Sequence, residues 1–230
     1  MTDRVLPFRF GPEGGTERTV PSSFFGTVFM LHGLGADGDD FVPVLPYLGL
    51  EGSERLRFLF PNAPVRAVGV NSGMRMRAWY DIRRPDVRKD PDWEGIQHSA
   101  ERLLGWVEEE EKRGVPRDRI FLAGFSQGGL IVLAAGLSSH SPLGGILALS
   151  TCDPSPVTLP DRRKGQSPQR FYMGHGLSDS VMPYKLGKET FDALCGIGWD
   201  GTWFEHEEGH TVTLDELKGI GSWLCRQSPA

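Results

Sequence analysis

Six short, almost unbroken apolar runs punctuate the chain, at residues 26–31 (GTVFML), 56–60 (LRFLF), 119–124 (RIFLAG), 145–149 (GILAL), 170–174 (RFYMG) and 201–205 (GTWFE). Runs this short and continuous, bounded by Gly, Pro or Asp, suit strands that are covered on both faces of a largely parallel sheet. Helical patterns lie between them. Residues 93–113 carry Ile96, Ala100, Leu103, Leu104 and Val107 on one stripe, ending in the acidic run Glu108 to Glu111. Residues 127–138 are apolar nearly all round, which predicts a buried helix. Residues 185–195 and 211–226 are amphipathic, and in the latter Val212, Leu214, Leu217, Ile220, Trp223 and Leu224 form the expected core-facing set. This alternation predicts a mostly parallel, doubly wound α/β sheet with helices on both faces, formed as one domain over residues 1–230. Ligands of such a sheet bind outside the carboxyl ends of its strands. An N-terminal edge hairpin over residues 4–20 is a further expectation.

The chain's net charge of −5 argues against a surface that neutralises nucleic-acid phosphates. Its short basic clusters, Arg83-Arg84 and Arg162-Arg163-Lys164, read as solvated loop charges. The opening MTDRVLPFRF lacks the pattern of a secretory signal, and no apolar run reaches membrane-spanning length, so a cytoplasmic protein is expected. Cys152, Cys195 and Cys225 cannot all pair and show no metal-binding spacing; they read as reduced thiols, with no metal site.

The stretch GFSQGG sets Ser126 between glycines, after the third apolar run and before the buried helix. A reactive serine needs this strand-turn-helix context, in which Gly124 and Gly128 permit a sharp turn and the helix N-terminus faces developing negative charge. The hydroxyl also needs a base, and the base an orienting acid. Of six histidines, only His206 and His210 follow Asp179, the acid best placed after Ser126. His206 ends the last strand and reads as structural, whereas His210 sits in a loop from which it can reach the sheet rim. Asp179, in the loop after the fifth strand, is the preferred acid over Asp153 and Asp192; its alternative role is that of a turn-forming residue. Backbone N–H groups of Gln127 and of Leu34, in the loop LHGLGADGDD, are the expected oxyanion donors. That loop lacks the lysine of a phosphate-binding loop and carries three aspartates.

Leu34, Met74, Trp79, Cys152 and Val181 are the expected substrate-binding residues. For the segment Met74 to Tyr80, an acyl-groove wall and ordinary core packing are equally open. Residues 151–169 are proline-broken and mostly polar, so no lid helix is expected, which suits short or medium acyl esters.

Taken together, LHGLGADGDDF, FPNAPVRAVGVNSGMRMRAWYDI, GFSQGG, HGLSDSVMP and GHTVTLDELKGIGSWL resemble, in the same order, the phospholipase/carboxylesterase family of small serine hydrolases, which includes the acyl-protein thioesterases. The resemblance runs from about Gly26 to the last helix. It implies an α/β-hydrolase fold without a lid domain, a Ser126–Asp179–His210 triad, Leu34 and Gln127 as oxyanion donors, and no cofactor. The implied substrate is a small ester or thioester, with acyl-protein thioesterase and lysophospholipase activities as alternatives. Two departures concern the substrate: Ser150-Thr151-Cys152-Asp153-Pro154 stands where the family often has an aromatic or leucine, and Glu207-Glu208 stand where it often has Pro-Met. A lyase, a peptidase, a non-catalytic binding module and a homodimer stay open.

Overall fold

The computed structural model describes residues 8–18, 26–50, 56–156, 159 and 167–227. A seven-stranded sheet forms the centre, in the order β1 (Gly15–Arg18), β3 (Leu56–Pro61), β2 (Gly26–Leu31), β6 (Ile120–Phe125), β7 (Gly145–Leu149), β8 (Arg170–Gly176) and β9 (Asp200–His206). All neighbours pair in parallel except β1, which runs antiparallel to β3 at one edge.

The continuous apolar runs split by alternation into two cores. Phe29, Leu59, Leu122, Ile146 and Phe171 face α1 (Trp93–Lys112), α2 (Gln127–Ser138) and α3 (Tyr184–Gly196). Val28, Phe58, Phe121, Leu147 and Tyr172 face α4 (Leu214–Gln227) and a 3-10 helical segment, Gly38–Leu48. Helices therefore cover both faces, as the sequence predicts. Arg57 is the charged exception within its run: its guanidinium is buried and bonds Glu110 of α1 at 2.9 and 3.0 Å and Glu17 of β1 at 2.9 Å.

Four features differ from the sequence reading. Val65–Val68 (β4) and Met74–Arg77 (β5) form a separate antiparallel hairpin. Its alternation with arginines gives no continuous run, and its turn needs positive φ at Ser72 and Gly73. The 3-10 segment also went unread, because Pro43 and Pro46 remove amide donors and break any α-helical pattern. Residues 8–18 supply one edge strand rather than a hairpin; residues 4–7 and 19–20 of that expectation lie outside the described residues. Finally, Leu214 is 57% exposed, and Glu216 takes the buried place at the start of α4.

Arg83 pairs with Asp81, Asp90 and Asp92 at the surface, while Arg162 to Lys164 lie outside the described residues. The segment expected to lack a lid, 151–169, is described only at 151–156, 159 and 167–169. No helix among the described residues is long and apolar enough to cross a membrane.

Candidate active site

Strand β6 ends at Phe125 and α2 begins at Gln127, so Ser126 alone makes the turn between them, at φ 53° and ψ −115°. This is a sparsely populated conformation for a residue with a side chain, and its neighbours hold it there. The Ser126 N–H donates to Leu149 O at 2.8 Å. A Cβ on Gly128 would lie 2.5 Å from Leu31 O, and one on Gly124 would meet the backbone of Gly128. Both glycines are therefore required by close backbone approach. Ser126 makes no side-chain cap bond to α2, which leaves its hydroxyl available.

The loop after β9 brings His210 over this turn. The hydroxyl of Ser126 lies 2.9 Å from His210 Nε2, and His210 Nδ1 lies 2.7 Å from Asp179 Oδ2. The ring also packs on Phe125, with centroids 4.8 Å apart. Asp179 fills both roles weighed from the sequence. Its Oδ1 accepts the Val181 and Met182 N–H groups at 2.9 and 2.8 Å, a turn that fixes the carboxylate, while its Oδ2 faces His210. The adjacent His175 is fully buried, and its Nε2 donates to Met182 O at 2.7 Å, tying down the same turn. Burial holds the His175 pKa below the ordinary histidine value, so the ring is neutral.

A second buried histidine orders the loop after β2. The Ala63 N–H donates to His32 Nε2 at 3.0 Å, so the ring proton sits on Nδ1 and donates to Gly33 O at 2.7 Å. Burial also lowers the pKa of His32. In a trans peptide the C=O and the following N–H point to opposite sides. Turning Gly33 O inward to His32 therefore turns the Leu34 N–H away from it. Gly33 lies against the serine, since a Cβ built there would be 3.6 Å from Ser126 Cβ. The bracing histidine was not read from the sequence, although its position at a strand end, two residues before Leu34, was the available signal.

Gln127 also does more than its backbone suggests. Its side-chain Oε1 accepts the Trp79 N–H and its Nε2 donates to Tyr80 O, both at 2.8 Å. Trp79 itself is 1% exposed and donates its indole N–H to His32 O at 2.9 Å. This corrects the groove assignment for Trp79: the indole is a core brace beneath the Leu34 loop. Met74 and Val181, by contrast, are 65% and 63% exposed, and Leu34 is half-buried. Cys152 is buried, its thiol 3.1 Å from Met182 Sδ, and lines a small cavity with Tyr80, Leu130 and Met182. Burial pushes its pKa up to about 12, so it remains a thiol.

Comparison with known proteins agrees with this architecture. The family model described as Phospholipase/Carboxylesterase matches residues 23–224. The acyl-protein thioesterase 1 of Gibberella zeae is 33% identical over 218 residues, covering 90% of this chain and 93% of that protein. The acyl-protein thioesterase 1 of Yarrowia lipolytica is 35% identical over 208 residues, covering 86% and 90%. Among solved structures, Arabidopsis thaliana SOBER1 superposes with a TM-score of 0.81 at 26% identity, covering 88% of this chain and 98% of that one. Zea mays acyl-protein thioesterase 2 has the same fold, with a TM-score of 0.80 at 24% identity, covering 94% and 99%. The chain belongs to the phospholipase/carboxylesterase family of α/β-hydrolases.

Proposed function

We propose that the chain is a serine hydrolase that cleaves carboxylic esters and thioesters of short to medium acyl chains through an acyl-enzyme. The observation that carries this reading is the unbroken Ser126–His210–Asp179 chain, at 2.9 and 2.7 Å. Ser126 attacks the acyl carbonyl as its proton passes to His210 Nε2. The imidazolium so formed keeps its Nδ1–H on Asp179, whose other oxygen is already occupied by two amides and therefore holds one orientation. The N–H groups of Leu34 and Gln127 receive the negative charge of the tetrahedral intermediate. His210 then protonates the leaving alkoxide or thiolate, and water repeats the attack. Exposed Met74 and Val181 offer apolar contact for the acyl chain.

Relatives described as acyl-protein thioesterases favour a second, narrower reading, in which the substrate is an acyl thioester on a protein. The reduced thiols of Cys152 and Cys195 suit a reducing compartment such as the cytoplasm. The test is labelling by a fluorophosphonate together with hydrolysis of a chain-length series of matched esters and thioesters. Wild type is expected to label and turn over, and Ser126→Ala to do neither. A Ser126→Ala protein that hydrolyses an activated ester at the wild-type rate would refute the mechanism.

A further inference from the structure

The loop that carries His210 leaves β9 at His206 and enters α4 just before Glu216. These two residues, ten apart in sequence, meet again inside the protein, with His206 Nε2 3.4 Å from Glu216 Oε2 and side chains 8% and 1% exposed. Tyr172 on β8 completes the cluster. Its hydroxyl, both ring nitrogens of His206 and both oxygens of Glu216 are buried without a well-aligned hydrogen bond. A buried carboxyl group in such a place is unfavourable on its own account. The backbone is nonetheless shaped around it: a Cβ on Gly174 would run into the Glu216 carboxyl, and Thr213 Oγ accepts the Glu216 N–H at 3.2 Å.

We propose that His206 and Glu216 are positioning residues, a buried clamp that closes the base of the His210 loop and sets the imidazole against Ser126. The inference rests on His210 being the base of the proposed mechanism. Apart from His210's own contacts with Ser126 and Phe125, the loop's hydrogen bonds run to the Asp179 loop and to the turn after β7. The Leu177 N–H donates to His206 O at 2.7 Å, the Ser178 N–H to Glu208 O at 3.1 Å, and the Ser150 hydroxyl to Thr211 O at 3.2 Å. All three lie on the β9 side of Thr213; on its far side α4 packs on the sheet through Leu217 and Ile220, and the His206–Glu216 contact links the loop's entry directly to its exit. Burial raises Glu216 to about 8, so at neutral pH the carboxyl is largely protonated, with its Oε2 3.4 Å from His206 Nε2. A glutamine at this position retains a donor; a methionine does not.

The test measures kcat and KM for p-nitrophenyl butyrate at pH 7, with active sites counted by end-point fluorophosphonate labelling so that misfolded protein does not enter kcat. Glu216→Met and His206→Leu are expected to lose roughly 10- to 100-fold in kcat, the scale of a small misplacement of a reacting group. KM is expected to move less than about twofold. Glu216→Gln is expected to recover to within about threefold of wild type. If Glu216→Met does not fold, His206→Leu and Glu216→Gln decide the matter between them. Either apolar variant, folded and within twofold of wild-type kcat, would overturn the clamp. His210→Ala separates the two levels: if it retains wild-type activity the mechanism fails, whereas if it is inactive and the apolar variants are not, only the clamp fails.

Discussion

Glu216 makes a quantitative statement about stability. Its carboxyl is 1% exposed, and desolvation raises its pKa from the ordinary 4.5 to about 8. The folded protein therefore holds this proton more tightly than the unfolded chain does. Below the unfolded value both states are protonated and the group is neutral toward folding. As pH rises from there, the unfolded chain releases the proton and the folded protein cannot, so stability is lost steadily until the pH reaches about 8, where the loss levels off. Over the whole window the penalty is roughly 5 kcal/mol, at about 1.4 kcal/mol per pH unit, and between pH 5 and pH 8 roughly 3 to 4 kcal/mol of it accrues. Glu216→Gln removes the ionisation and conserves the shape. The assay is urea unfolding of both proteins at pH 5, 6, 7 and 8. Other titrating groups cancel in the difference between the two, so the variant is expected to gain on wild type by that amount across the series. A difference that stays constant from pH 5 to pH 8 would refute the reasoning, because it would mean that Glu216 titrates normally and reaches solvent.

Two further outcomes follow from the site's packing. Gly128→Ala places a Cβ 2.5 Å from Leu31 O and 2.7 Å from His32 O, so the serine turn must shift; the expected result is a loss of roughly 100-fold in kcat/KM with helix content unchanged by circular dichroism, and full activity would show that the turn has slack. Iodoacetamide at pH 8 is expected to modify the exposed Cys195 in the native protein and to reach the buried Cys152, whose thiol is pushed up to about 12, only after denaturation; native labelling of Cys152, read by peptide mass spectrometry, would contradict its burial.

The strands were legible because a strand buried on both faces is apolar at every position, and the runs at 26–31 and 119–124 carry that signal whatever surrounds them. The β4–β5 hairpin was not, since its arginines and exposed Met74 leave no run to read. Ser126, Asp179 and His210 were legible through order and context. The side-chain work of Gln127 and His32 was not, because it depends on where two loops meet. Glu216 is the instructive case. Helical spacing places it on the same face as Ile220 and Trp223, both buried, so its burial was written in the period of α4. Leu214 was read as core with the rest of the amphipathic set at 212–224, but it opens the helix, where the side chain is exposed.

The histidines at the strand ends show the same rule at work in the site. His32, His175, His206 and His210 all lie at or just beyond the carboxyl ends of strands, where any of them could have served a nearby serine. The first two are 1% and 0% exposed, and burial holds both neutral while their ring protons are committed to the carbonyls of Gly33 and Met182. A ring that is to take a proton must change charge, which burial of this depth opposes, and must have a free acceptor nitrogen facing the serine. His210, with a side chain 16% exposed, has Nδ1 engaged by a carboxylate and Nε2 turned to Ser126. His32 braces the Leu34 loop, His175 the Asp179 turn and, in the proposed clamp, His206 the base of the His210 loop, so each of the three rings acts on the one histidine that faces Ser126, or on the groups that ring must meet.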